Sequence, residues 1–298
     1  MDQNLLAYIY AFSSVLTFST AAIGFTYFSK KVSALWMNVF KCLVSFMFSV
    51  PLMMALGGSL FWSLEQYWPF YLSGVIGLNL ADWLMLSAYR VIGPGRSLVL
   101  FGFQPFIVGG FSYFVWGEEI FPIQFVAILF FVACLFLFSY ERFKKAGSWE
   151  VKGLLLAFAA VVFDSIGVIL TRYGFDQNPQ MSGLDAQYLR TLSALVSFAF
   201  MVPFIKINLV QGFRRLTVKE RGVAFVASFF GTFLSLVLYM QAIKIGKLAT
   251  VSSIVLTDPM MSTFFECLWL KVWPSRYLWF ALVSFVCAMF CLFYPQWA

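Results

Sequence analysis

Runs of about twenty apolar residues, separated by short polar or basic stretches, follow one another along almost the whole chain. A helix of roughly that length crosses the hydrocarbon layer of a bilayer, about 30 Å thick. The runs are too long for barrel strands and do not alternate with period two. They predict ten helical spans, at 5–27, 34–56, 68–89, 97–116, 121–140, 152–172, 186–205, 221–242, 248–270 and 276–295. The connections are short, so little protein is expected outside the membrane. The opening MDQN offers no basic start for a cleaved signal peptide, and the first span is expected to stay in the mature protein.

Composition sharpens this reading. Of 298 residues, 62% are hydrophobic and 11% charged, whereas a soluble domain carries about 25% charged residues. The net charge of +7 reflects orientation rather than nucleic-acid binding, because Lys and Arg accumulate in loops kept in the cytoplasm. ERFKKAGSWEVK (141–152) and KINLVQGFRRLTVKER (206–221) hold nine of the 20, and both follow odd-numbered spans, as do Lys30, Lys31, Arg90 and Arg96. The bias predicts cytoplasmic odd loops and external termini for a multi-pass protein of the cell (inner) membrane. All five Cys residues (42, 134, 267, 287, 291) fall inside spans and read as buried free thiols.

The pattern also repeats. LVSFMFSVP at 43–51 returns as LVSFAFMVP at 195–203, with seven of nine positions identical. AYRVIGPGRSLVLFGFQP (88–105) aligns with AIKIGKLATVSSIVLTDP (242–259), pairing Ala88, Arg90 and Pro105 with Ala242, Lys244 and Pro259. Gly77 and Gly231 share that offset of 154. The predicted architecture is therefore all-α: ten transmembrane helices as two five-helix repeats, 1–140 and 152–298, joined by a basic linker at 141–151. An odd number of spans per repeat inverts one repeat relative to the other, a plan common among transporters. The proline closing each LVSF segment comes at a helix end, where a missing N–H costs least.

The chain resembles the drug/metabolite transporter superfamily, in particular its ten-helix EamA-type branch. The resemblance rests on the five-plus-five spans, on a basic residue before a short turn, and on a following small-residue helix that ends in Pro. It rests also on Gly117 and Glu118 closing the next helix, and on Arg190 at a basic position of the second helix in a repeat. The first repeat has Asn38 at the Arg190 position, and the second departs at the Gly–Glu position, where Lys271 and Val272 stand. The resemblance covers nearly the whole chain and implies a carrier of small metabolites, with amino acids or related compounds the expected substrates.

Polar and ionisable residues inside spans carry the functional reading, since each costs a few kcal/mol at the bilayer centre. Asp164 lies mid-way along the sixth span, where a carboxylate must be protonated or paired, so protons are an expected coupling ion. Glu266 lies at similar depth in the ninth. Arg190 could snorkel to the interface, pair with either acid, or hold a substrate carboxylate as a planar fork. Asp82 and Asn79 in the third span read either as binding residues or as groups near a helix end touching interfacial water. Lys41 has snorkelling as its stronger alternative. Trp83, Tyr89, Gln104, Tyr239, Gln241 and Ser253 could line a cavity, although most aromatics in such a chain pack helices or face lipid. The small-residue stretch 246–253 and its counterpart at 93–97 read as packing or hinge features.

Other function classes fit less well. The chain has no His, which removes His-based triads and His metal motifs, and no phosphate-binding glycine loop or cofactor motif is visible. Only Asp164 with Glu266 offers an intramembrane-enzyme pair. A channel calls for rings of polar residues or a filter loop, and neither is present. The sequence thus predicts an alternating-access carrier, acting as a monomer or homodimer on a small-molecule substrate in the bilayer. An exporter of cationic drugs or quaternary amines, held by aromatic faces and Asp164 or Glu266, is the alternative.

Overall fold

The structure, a computed structural model, describes residues 3–116, scattered positions from 123 to 140, and 150–297 except 206, 207, 247, 256, 272 and 274. Every described element is helical. The first and second spans are Gln3–Lys31 and Ala34–Ala55, and the third is a long helix, Leu64–Ile92. The sixth is Val151–Gln177, the seventh Gly183–Ile205, the eighth Val218–Ile245 and the tenth Arg276–Trp297. Among the described residues, five helices are long and apolar enough to cross a membrane, and Arg96–Phe111 and Trp279–Ala288 are shorter apolar helices. The described positions within 121–140 are helical, while the expected Gly117–Glu118 helix end and most of the 141–151 linker lie outside the described residues.

Local chemistry sets the helix ends. Ser33 caps the second span by accepting from the Trp36 N–H at 3.0 Å. Thr217 and Glu220 form a reciprocal capping box at the start of the eighth, satisfying donors that a helix N-terminus leaves free. Gly93, at φ 83°, makes the turn after the third span, and Pro94 opens the next helix, a place where its missing N–H is no loss.

Two departures from the expected straight spans stand out, and each occurs once per repeat. The fourth span is broken into Pro94–Val99, a 3₁₀ turn Leu100–Phe103, and Gln104–Trp116. The ninth is broken into Leu248–Val255 and Asp258–Leu270. Both breaks fall in the turn before a proline, Pro105 or Pro259, as expected from a residue that cannot donate its N–H and crowds the carbonyl four positions back. The second departure is a π-helical stretch inside the third span, Gly74–Ala81, and another inside the eighth, Phe229–Leu234. These contain Gly77 and Gly231, the glycines at offset 154. A buried amide from the second helix of the same repeat binds carbonyls of each stretch. Asn38 donates to Leu78 and Asn79 at 3.0 and 3.1 Å, and Gln187 donates to Thr232 at 3.3 Å.

The repeats embrace reciprocally. The first span packs against the eighth and ninth, as the sixth packs against the third and fourth. The second and seventh lie against each other, and each also packs on the π-helical stretch of the opposite repeat. Small residues allow this closeness: a Cβ at Gly74 would meet the Arg190 carbonyl oxygen at 2.1 Å, and one at Gly231 would meet Ala21 Cβ at 2.4 Å. Outward faces present apolar side chains such as Met47, Leu155, Val196 and Phe200, suited to hydrocarbon.

Candidate functional site

Two apolar clusters lie toward opposite ends of the bundle. One gathers Phe70, Phe175, Leu189 and Met240, and the other Phe25, Trp36, Leu86 and Tyr89. Along the sixth span, Asp164 falls between Val168 of the first cluster and Val161 of the second, and on the first span Ser14 falls between Ala11 and Ala21. At that level lies a cavity of about 70 Å³ with charged side chains in an otherwise largely apolar wall. One water needs only ~10–15 Å³ of such space, so the cavity suits a few waters or a very small solute. Its walls come from the first to fourth and the sixth to ninth spans, the same four positions of each repeat. Both helix breaks supply lining residues, Leu98, Phe101 and Gln104 from one and Val255 and Asp258 from the other, and both π-helical stretches do so through Leu78 and Gly231.

Three carboxylates and two cations face this space: Asp82, Asp164, Asp258, Lys41 and Arg190. Lys41 is buried and pairs with Asp82 at 2.5 Å, its ammonium 5.4 Å from the centre of the Phe25 ring. This overturns the snorkelling expected of Lys41: an ammonium held between a carboxylate and an aromatic face has no need of the membrane surface. Asp164 accepts from Gln104 Nε2 at 2.8 Å. Arg190 does not snorkel either, being only 2% exposed. Its Nη1 meets the Met240 sulfur at 2.9 Å, and its Nε has no partner among the described residues. Arg190 and Asp164 converge on Gly77, where a Cβ would lie 3.0 Å from Arg190 Nη2 and 3.9 Å from Asp164 Oδ1. They do not form a direct ion pair among the described residues.

Of the remaining sequence candidates, Tyr239 lines the cavity beside Ser235, whose hydroxyl lies 3.1 Å from that of Ser14. Asn79 ties the third span to the seventh, donating to Ser197 Oγ at 2.5 Å, and stands outside the cavity wall. Trp83 packs between two apolar clusters, and Tyr89 is buried in one of them. Gln241 accepts from the Gly183 N–H and so serves the start of the seventh helix. The side chains of Ser253 and Glu266 lie outside the described residues. The described arrangement adds Asp258, which accepts from Ser19 Oγ at 3.0 Å. Sequence reasoning passed over it, yet it occupies the position of Gln104 in the other repeat, the residue before the proline at offset 154. A larger cavity of about 400 Å³ between the first and eighth spans is almost wholly apolar. Its one carboxylate, Glu220, is taken up by Lys31, Tyr27 and Thr217, so the ionisable chemistry sits in the central cavity.

Comparison with known proteins agrees with this architecture. A solved crystal structure, one of 29 matching chains, superposes with a TM-score of 0.72 at 18% identity, covering 97% of this chain and 96% of that one. At that identity the likeness concerns the fold. A search of curated protein sequences found no match. The model of the EamA-like transporter family matches twice, over residues 5–140 and 151–294, so it accounts for both repeats and nearly all the sequence between the termini. With its two matched repeats, its membrane-length helices and its shared central cavity, the chain belongs to the EamA-like transporter family.

Proposed function

We propose that this membrane transporter carries a small zwitterionic metabolite, an amino acid or close relative, by alternating access, with a proton as the coupling ion. The observation that supports the reading most is Arg190, a buried guanidinium without a carboxylate in contact among the described residues, facing a cavity between the repeats. A buried charge without a partner is costly, and a substrate carboxylate would complete it with two parallel hydrogen bonds. Asp164, oriented by Gln104, stands close enough to receive the ammonium of the same molecule.

The cavity is too small for such a solute as it stands, so binding requires the bundle to open. The helix breaks and π-helical stretches are where that motion is absorbed, because helix ends and irregular turns accommodate backbone change. Discontinuous helices at a repeat interface recur in carriers that rock about a central site. Amino acids added to the purified protein should raise its Tm, since a ligand stabilises the state it binds. Arg190→Met should abolish that rise. Amines without a carboxylate that stabilise wild type and Arg190→Met alike would favour the cationic-substrate alternative and end the zwitterion reading.

A further inference from the structure

The charges around the cavity do not balance. Asp82 has Lys41, and Asp164 faces Arg190 across Gly77. Asp258 is 7% exposed, and among the described residues its carboxylate accepts a hydrogen bond from the hydroxyl of Ser19, itself fully buried. No ion pair to Asp258 occurs among the described residues. With a zwitterion bound, its carboxylate and ammonium would satisfy Arg190 and Asp164, and Asp258 would still lack a cation.

We infer that Asp258 is the proton-carrying residue of the transporter, separate from the groups that hold the substrate. The inference rests on the transport reading above and assigns its coupling ion to one atom. Ser19 Oγ–H donates to Asp258 Oδ1, which leaves Oδ2 to take the proton. The proton comes from water on one side of the membrane and returns to water on the other, with no other bond made or broken. A metal ion fits poorly, because hard cations take about six or more oxygen ligands. Around Asp258 the described oxygens in contact are Ser19 Oγ and, at 3.4 Å from it, the Asp258 carbonyl. The charged and titratable groups lining the space are Lys41, Asp82, Asp164, Arg190 and Tyr239, and the buried Tyr89 hydroxyl also lies near enough to interact with Asp258.

Position supports the assignment. Asp258 opens the second half of the broken ninth span and reaches the first span of the other repeat through Ser19. Gln104, its equivalent, opens the second half of the broken fourth span and reaches the sixth through Asp164. The two contacts are related by the repeat, but only one places a carboxylate on the moving break. A change in charge there would bias the packing of the ninth span against the first.

The test uses the full chain in lipid bilayers and needs no substrate for its first arm. Infrared spectra recorded across a pH titration should show a protonated-carboxyl carbonyl band that disappears as pH rises. The band should persist in Asp164→Asn and be absent from Asp258→Asn, whose amide oxygen still accepts from Ser19 and preserves the fold. Ser19→Ala should shift the band to higher frequency by removing its hydrogen bond. In liposomes, Asp258→Asn should retain exchange of whichever amino acid stabilises wild type while losing uptake driven by a pH gradient at least tenfold. Persistence of the band in Asp258→Asn, or gradient-driven uptake at the wild-type level, would overturn the inference, as would loss of the band on adding Na⁺ at fixed pH. If wild type transports no amino acid, the substrate reading fails and the infrared arm still decides the proton site.

Discussion

The two repeats share a backbone plan and differ in the polar groups they hang on it. Each has a π-helical stretch, a broken helix ahead of a proline, and a buried amide serving the π-helical carbonyls. At matching positions the side chains part. Lys41 and Asp82 in the first repeat correspond to Ser193 and Leu236 in the second, Asn38 corresponds to Arg190, and Gln104 to Asp258. The first repeat closes its charges on each other in one ion pair, while the second leaves Arg190 and Asp258 without a direct partner of opposite charge among the described residues. Symmetry supplies the scaffold, and the departures from it supply the chemistry.

Exchanging residues between the repeats tests that division, and the largest effect is expected at Gly74. Its counterpart Ser228 is buried without difficulty, whereas a Cβ at Gly74 would lie 2.1 Å from the Arg190 carbonyl oxygen and the Ser193 hydroxyl. Gly74→Ser should destabilise the protein by ~3 kcal/mol or more, read as a fall in Tm or failure to fold, while Gly110→Ala, with open space around it, should be neutral.

Next comes the ion pair. Lys41→Ser leaves Asp82 uncompensated and should cost about 3 kcal/mol, the low end for breaking a buried pair, because Asp82 is partly open to solvent. Lys41→Ser with Asp82→Leu writes the second repeat's residues into the first and should recover most of that stability in thermal denaturation. A double variant no more stable than Lys41→Ser would mean the pair does more than neutralise itself.

Arg190→Asn imposes the first repeat's residue on the second. It should weaken amino-acid binding by roughly tenfold to a hundredfold, the worth of hydrogen bonds to a charged group, measured by titration of the Tm shift. The smallest effect is expected at Asn79→Ala, which removes the part-buried contacts to Ser197 and Met201 and should cost about 1 kcal/mol with binding unchanged.

The sequence revealed the spans and the repeat because both are written in apolar run length and in local echoes. It revealed Asp164 and Arg190 because an ionisable residue deep in a span is conspicuous. Lys41 was misjudged because its partner lies on another helix, and apolar neighbours in sequence suggested a lipid-facing position that the structure fills with Asp82 and Phe25. The helix breaks were missed because apolar runs continue through them without a change in hydropathy. The signal that was present lay before Pro105 and Pro259, where a polar residue, Gln104 or Asp258, interrupts an otherwise apolar segment at the same offset.

Alternating access, as proposed, requires the cavity between the repeats to open to each side of the membrane in turn. Ser235 lines it and is 1% exposed. Ser235→Cys in a background free of the five native cysteines gives a single thiol on the cavity wall. Its reaction with an impermeant thiol reagent can be followed in vesicles of each orientation. Labelling from both sides, slowed by the amino acid that stabilises the protein, is the expected result. Labelling confined to one side under all conditions, or none from either, would contradict alternating access through this cavity.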